Sequence, residues 1–133
     1  RLEAAKHYTL SLFFSYAYNM HSEDEYIESR GIVQDFIALL KDNYRKHRDL
    51  TFYSDKLSIT PKYLTTLVKG STSKSAHKWI EDYVIIESKA LLRSSNKTIE
   101  QISLELSFNN QDIFSKFFKR ATGISPSEYR RRF

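Results

Sequence analysis

An apolar quartet with one fixed spacing occurs twice in the chain, 50 residues apart, and limits the possible folds more than any other feature. The two copies are Tyr63, Leu64, Leu67 and Val68, and then Ile113, Phe114, Phe117 and Phe118. The spacing i, i+1, i+4, i+5 places four side chains on one face of an α-helix. Two amphipathic helices are therefore predicted, over Thr60–Lys69 and Gln111–Arg120.

Each of these helices follows a shorter helix and a tight turn. Thr60 and Asn110 are candidate N-caps of the two later helices, because their side chains can accept a hydrogen bond from the first turn. The earlier helices are predicted at Phe52–Leu57 and after the capping box formed by Thr98 and Gln101. Two short helices joined by a tight turn are the pattern of a helix-turn-helix.

A long helix is predicted between the two copies. Ser75 is its candidate cap, residues Gly70–Lys74 are the expected loop before it, and the apolar pattern continues to about Ser94. About 19 residues at 1.5 Å each give a rod of roughly 28 Å, and one turn of B-DNA is roughly 34–36 Å. Two outward-facing helices on such a spacer could enter successive major grooves. Alternatively, both are core helices of an all-α bundle.

Three further segments complete the helical prediction. A helix is expected over Ile32–Tyr44, followed by a basic exit at residues 45–50 that either touches phosphate or complements the helix C-terminus. Residues 21–30 are a connection or the start of that helix. A short closing helix is expected after the capping box of Ser125 and Glu128.

The first 20 residues are apolar and aromatic and contain neither Gly nor Pro. They predict a helix over Arg1–Met20 that is buried on several sides. This helix either forms an interface, with a second copy or with an upstream domain, or belongs to the core. Because residue 1 is Arg, we expect the chain to be a piece of a longer protein.

Composition and charge favour a helical nucleic-acid binder. Three Gly and two Pro in 133 residues argue against a turn-rich β fold, and the lack of Cys rules out disulfides and thiolate metal sites. Residues 1–50 carry a net charge of −1 and residues 51–133 a net charge of +6. The basic half coincides with the helix-turn-helix pattern, as expected for a DNA-binding surface, although an ordinary basic surface would have the same charge.

Catalysis is not predicted. The four histidines are scattered and lack metal-binding spacing, and no Gly-rich phosphate loop occurs; they are His7, His21, His47 and His77. No apolar run approaches the length of a membrane span. The rival to DNA binding is a helical protein–protein interaction module.

Three segments carry a resemblance to a known family. They are ITPKYLTTLVK at 59–69, TIEQISLELSF at 98–108 and NNQDIFSKFFKRATGISPSEYRR at 109–131. About 84 residues, from 50 to 133, resemble the DNA-binding domain of AraC/XylS-type transcription regulators. The resemblance implies an all-α fold in which two helix-turn-helix subdomains, at about 50–70 and 98–120, are joined by a linker helix at about 75–94.

The resemblance also implies a domain division and a function. Residues 31–133 would form the DNA-binding domain, and residues 1–30 the trailing helix of a missing sensor or dimerisation domain. The implied function is sequence-specific binding to promoter DNA in the bacterial cytoplasm and regulation of transcription, usually activation. RNA polymerase is the implied protein partner, and a homodimer could form through the N-terminal helix or the missing domain; no cofactor or metal is implied.

In the family, contacts to bases and phosphates come from the outer faces of the third and sixth helices. The matching residues here are Lys62, Thr65, Thr66, Lys69, Gln111, Asp112, Ile113, Lys116 and Lys119. Gln suits adenine edges, Thr can contact thymine methyl groups, and Lys reaches guanine or phosphate. The chain departs from the family pattern where Gly is usual at Ser73 and Ser107, and where Arg is frequent at Val84.

Overall fold

The computed structural model describes residues 28–133, so the helix predicted over Arg1–Met20 lies outside the described residues. Within 28–133 there are seven helices and no strand, which confirms the all-α prediction. They are α1 (28–43), α2 (Leu50–Lys56), α3 (Pro61–Thr72), α4 (Ala76–Ser94), α5 (Ile99–Glu105), α6 (Gln111–Thr122) and α7 (Pro126–Arg132).

Five of the predicted helix starts are confirmed, because their capping side chains make the expected hydrogen bonds. Thr60 Oγ1 accepts from the backbone N–H of Tyr63 at 3.1 Å, and Asn110 Oδ1 accepts from that of Ile113 at 2.9 Å. Thr98 and Gln101 form both bonds of the capping box. Ser75 and Ser125 cap α4 and α7 in the same way.

Two starts lie earlier than predicted. Residues 28–31 are already helical, so the end of the 21–30 segment belongs to α1 rather than to a connection. At the other end of α1, Tyr44 lies in a turn outside the helix. Helix α2 begins at Leu50 rather than Phe52, because the Asp49 side chain accepts from the backbone N–H of Thr51 at 3.1 Å and supplies a cap.

The helices α3 and α6 also continue further than predicted, each to a threonine. Thr72 was expected in a loop, but its hydroxyl donates to the Val68 carbonyl at 2.7 Å and α3 continues to Thr72, with Ser73 as its C-cap. Thr122 donates likewise to the Phe118 carbonyl at 2.8 Å, and α6 continues to Thr122, with Gly123 as its C-cap. Both C-caps have left-handed backbone conformations, with φ of 62° at Ser73 and 89° at Gly123.

The described residues form two hydrophobic cores that share helix α4. The first core joins α1, α2, α3 and the start of α4; its members are Val33, Phe36, Leu40, Leu50, Tyr53, Leu64, Val68, Ala76 and Ile80. The second joins the rest of α4 to α5, α6 and α7; its members are Val84, Ile85, Leu92, Ile102, Leu106, Phe108, Phe114, Phe118 and Tyr129. The transition falls between Ile80 and Val84, one helical turn apart. Each core therefore supports one pair of short helices.

Val84, which departs from the family pattern, is an apolar residue inside the protein. Val84 is fully buried in the second core, so it contributes packing and no charge there. None of the helices in residues 28–133 is both long and apolar enough to cross a membrane.

Candidate nucleic-acid interface

The outer faces of α3 and α6 form the candidate interface, and the two helices match in burial at each of their first ten positions. The fourth and eighth residues are fully buried: Leu64 and Val68 in α3, Phe114 and Phe118 in α6. The first, second, third, sixth, ninth and tenth residues of both helices are exposed. Two helices that are anchored identically present equivalent outer faces.

The apolar quartets are only partly internal. Their first members, Tyr63 and Ile113, are 46% and 43% exposed, so they lie at the edge of the buried face and not within it. Two core contacts per helix, at the second and fourth quartet positions, are enough to seat each helix, with Leu67 and Phe117 half-buried. The exposure of Ile113 is compatible with its other predicted role as a contact residue.

On α3, the four predicted contact residues form one stripe. Lys62, Thr65, Thr66 and Lys69 are spaced i, i+3, i+4 and i+7, which places them along one face. Both lysines and Thr66 are exposed and Thr65 is half-buried. The Thr66 hydroxyl donates to the Lys62 carbonyl at 3.0 Å. Its oxygen lone pairs and its methyl group remain for an external partner.

On α6, the five predicted residues divide into an end and a stripe. Gln111, Asp112 and Ile113 are the first three residues of the helix, and Lys116 and Lys119 continue along the exposed side. Asp112 lies in the first turn, where a carboxylate stabilises the partial positive charge of the helix N-terminus. This accounts for an acidic residue in an otherwise basic surface.

The turns that hold the two helices are built alike. In the first, the Ile59 N–H donates to the Ser54 carbonyl at 3.0 Å, across a left-handed Ser58. In the second, the Phe108 N–H donates to the Ser103 carbonyl at 2.9 Å, across a left-handed Ser107. This six-to-one bond is the Schellman arrangement, which ends one helix and redirects the chain.

Exposure makes two further residues candidates for the interface, and the sequence prediction did not include them. Tyr63 is the counterpart of Ile113 in the 50-residue repeat and is equally exposed, and Ser115 is the counterpart of Thr65 and is equally half-buried. Applying the 50-residue offset to the predicted contacts Ile113 and Thr65 would have identified both.

Arg45 and Arg48, in the basic exit after α1, contact the second subdomain rather than the C-terminus of α1. The Arg48 guanidinium donates to the backbone carbonyls of Leu106 and Ser107, and Arg45 pairs with Glu87 and Glu105. Both arginines therefore contact the second core's helices.

In residues 28–133, no cluster of His, Asp and Glu side chains is arranged to hold a metal ion.

The described part of the chain is all-α, and two capped helices, each after a tight turn, expose basic faces. These features place the protein in the class of helix-turn-helix proteins. A family model described as "Helix-turn-helix domain" matches residues 53–132. The chain belongs to the AraC/XylS family of helix-turn-helix transcription regulators. This is a family of DNA-binding regulators and not of enzymes.

Two curated relatives illustrate the family membership. The uncharacterized HTH-type transcriptional regulator YdiP of Escherichia coli (strain K12) is 28% identical over 128 residues, covering 95% of this chain and 42% of the relative. The arabinose operon regulatory protein of Salmonella typhimurium is 30% identical over 99 residues, covering 74% of this chain and 35% of the relative. The chain thus spans less than half the length of both.

A solved structure gives the same fold. The C-terminal domain of AraT, a response regulator from Geobacillus stearothermophilus, superposes with a TM-score of 0.71 at 26% identity. The match covers 77% of this chain and 85% of that domain.

Proposed function

We propose that this chain binds a promoter sequence through α3 and α6, in successive major grooves of the DNA, and regulates transcription there. The observation that carries the proposal is the matching exposure pattern of the two helices, each seated by two buried residues and presenting lysines outward. A helix of this kind fits the major groove, where base edges are distinguishable. The nearby cations neutralise phosphates and make binding salt-dependent.

The proposed contact set has two parts. On α3 it comprises Lys62, Tyr63, Thr65, Thr66 and Lys69, and on α6 it comprises Gln111, Asp112, Ile113, Ser115, Lys116 and Lys119. The α3 set contains no acid and several short polar side chains, which suits base reading. The α6 set includes Asp112, so its lysines serve more for positioning on the backbone.

The rest of the proposal concerns the whole regulator. A promoter-binding protein of this family acts in the bacterial cytoplasm, and an activator among its relatives is the RhaR protein of Yersinia. We extend the proposal to activation through RNA polymerase and to a homodimer formed by segments before α1. Transcription from a promoter template with purified polymerase tests the first, and sedimentation of the full-length regulator tests the second.

The experiment on DNA binding starts by selecting bound sites from a random duplex pool. Mobility shifts on the selected site, at low and high salt, then compare two variants with wild type. Lys116→Ala should weaken binding. It should also reduce the slope of the logarithm of the binding constant against the logarithm of the salt concentration by roughly the amount expected for one phosphate contact. Thr66→Ala should lose about 1–3 kcal/mol at one base position, and with it the preference there.

Matched controls lie on the same molecule. Lys41→Ala removes an exposed lysine from α1, and Ser71→Ala truncates an exposed residue of α3 away from the stripe; both should bind like wild type. If Lys116→Ala matches Lys41→Ala and Thr66→Ala matches Ser71→Ala, the assignment of the contact faces is wrong. Normal binding by Tyr63→Ala would remove Tyr63 from the set. If the wild type binds no duplex at low salt, DNA binding itself is refuted.

A further inference from the structure

The turn between α1 and α2 belongs to the first subdomain but makes its main polar contacts with the second. Arg48 Nη1 donates to the Leu106 carbonyl at 2.6 Å, and Nη2 donates to the Ser107 carbonyl at 3.2 Å. The guanidinium carbon lies 3.7 Å from the centroid of the Phe108 ring. One side chain thus holds three consecutive residues of the turn between α5 and α6.

These contacts act where the orientation of α6 is set. Leu106 is the C-cap of α5 and Ser107 is the left-handed residue after it, so the cation faces the negative end of a helix. Phe108 is 4% exposed, and its ring lies 5.2 Å from the rings of both Phe114 and Phe117 on α6. A shift of the Arg48 contacts would therefore reach the packing under the second recognition helix.

The other end of Arg48 is anchored in the first core. The Tyr53 hydroxyl donates to the His47 carbonyl at 2.7 Å, next to Arg48 in the chain, and Tyr53 is fully buried. The His47 ring stacks on Phe52 with centroids 3.7 Å apart. Asp49, on the other side, caps α2. The backbone that carries Arg48 is consequently fixed to α2, which supports the first recognition helix.

Arg45 makes a second, weaker connection from the same turn. It pairs with Glu105 of α5 at 2.9 Å and with Glu87 of α4, and Glu105 also pairs with Lys97. The Arg45 side chain is 44% exposed, so solvent screens these ion pairs and each contributes little. Arg48 is half-buried, and burial lowers the pKa of its guanidinium; its hydrogen bonds are better shielded.

We propose that Arg48 is a positioning residue that fixes the angle between the two helix-turn-helix units and thereby restricts binding to one spacing of the two half-sites. The proposal rests on the proposed DNA-binding function. When the angle is fixed and the half-sites are correctly spaced, binding of the first unit holds the second unit at its half-site, which raises the affinity for the full site. This gain in affinity is lost when the spacing does not fit the angle. We call the Arg48 contacts the brace; without the brace, the affinities for correct and incorrect spacings should differ less.

The test uses Arg48→Met, which keeps an unbranched side chain over Phe108 but removes both hydrogen-bond donors. Binding is measured to the selected duplex, to duplexes with either half-site scrambled, and to duplexes with one base pair added or removed between the half-sites. The variant should bind each single half-site within about twofold of wild type. Its preference for the native spacing should fall about tenfold, the equivalent of one charged hydrogen bond.

Lys46→Met is the matched control, because Lys46 lies in the same turn, is exposed, and makes no side-chain hydrogen bond or ion pair with the described residues. It should keep the wild-type spacing preference. Equal spacing preference in Arg48→Met and Lys46→Met overturns the proposal. The proposal is also overturned if Arg48→Met weakens binding to the second half-site alone as much as it weakens binding to the full site. Arg48 would then only maintain the local structure of the second unit.

A measurement without DNA separates this inference from the proposed function. Residual dipolar couplings of the backbone amides report the relative orientation of the two units. The brace predicts that one alignment tensor fits both units in wild type and that two tensors are needed in Arg48→Met. A single tensor in both proteins overturns the brace even if the wild type binds no DNA.

Discussion

Serine occupies three positions where the backbone is left-handed. In residues 28–133, Ser58, Ser73 and Ser107 have φ of 58°, 62° and 65°, and one glycine, Gly123 at the position equivalent to Ser73, has φ of 89°. A side chain in this conformation costs about 1–2 kcal/mol, and glycine avoids the cost. The turns of this protein therefore store strain at positions that shape the two helix-turn-helix units.

Replacing Ser73 with glycine should stabilise the protein. The relief of the left-handed strain is partly offset by the greater freedom of glycine in the unfolded chain, so the free energy of unfolding should rise by up to about 1 kcal/mol. Urea unfolding followed by circular dichroism measures the change.

The control for this prediction lies two residues away. Ser71 is exposed and helical in α3, so Ser71→Gly should lower the free energy of unfolding by roughly 0.5–1 kcal/mol. If Ser73→Gly destabilises as much as Ser71→Gly, the strain at Ser73 is not relieved by glycine and the interpretation is wrong.

Single residues also mark where sequence reasoning stops. The period of the quartets located the anchors Leu64, Val68, Phe114 and Phe118, because a helical period requires a buried stripe. It could not tell that Tyr63 and Ile113 lie outside the stripe, since the width of a buried face depends on what packs against it. A side chain at the edge of a quartet is compatible with core and with interface until the neighbouring helices are placed.

The capping side chains determine where the elements begin. Asn110 caps α6 at the end that carries Gln111, Asp112 and Ile113. Loss of the cap frees the first turn, so a change at Asn110 should affect both the helix and the interface. The same logic links Thr60 to the start of α3.

Asn110→Ala should lower the free energy of unfolding by about 1 kcal/mol, within the range of about 0.5–2 kcal/mol for lost caps. It should also weaken binding to the selected duplex, although Asn110 is outside the proposed contact set. Thermal unfolding and mobility shifts measure the two effects.

Asn109→Ala is the control, because Asn109 is equally exposed and caps nothing. It should leave both quantities near wild type. If the two asparagine variants behave alike, the Asn110 cap does not stabilise α6.

The five helix starts marked by a capping side chain were predictable from the sequence, whereas the starts of α1 and α2 and the ends of α3 and α6 were not. A start is signalled locally by Thr60, Ser75, Thr98, Asn110 and Ser125, whose side chains accept within three residues. The end of α3 depends on Thr72, whose hydroxyl donates to the Val68 carbonyl and accepts from the Lys74 N–H at 3.3 Å. In the sequence, this threonine lies in a Gly-Ser-Thr-Ser run, and such a composition predicts a loop rather than the last turn of a helix.

At the scale of the whole molecule, two cores share a single helix. The first core ends at Ile80 and the second begins at Val84. Because the buried members of the two cores are separate and, among the described residues, only the half-buried Tyr44 packs against both, a cavity in one core need not loosen the other to the same extent. Opening free energies then differ between the two units, as they do between cooperative units of other proteins.

Leu64→Ala should reduce amide protection in α2 and α3 more than in α5, α6 and α7, and Ile102→Ala should do the opposite. Truncating a buried Leu or Ile costs about 2–5 kcal/mol. Native-state hydrogen exchange followed by NMR resolves the two groups of amides. A uniform loss of protection in both variants would mean that the two cores open as one unit.

The overall arrangement was predictable because it rests on local signals: two quartets, five caps and one long apolar stripe. The contacts of Arg48 were not predictable, because Arg48 and Leu106 are 58 residues apart. Their meeting depends on how α1, α4 and α5 pack together. A basic cluster at residues 45–50 therefore has no unique interpretation from the sequence.

Because both cores share α4, insertions and deletions in related proteins are restricted in where they can occur. Each residue added to an α-helix turns everything beyond it by about 100° and advances it by 1.5 Å. A single insertion between Ile80 and Val84 would swing the entire second unit out of phase with the first. Length variation among relatives should therefore avoid this segment and the turn that carries Arg48, and accumulate in the connection at residues 95–97.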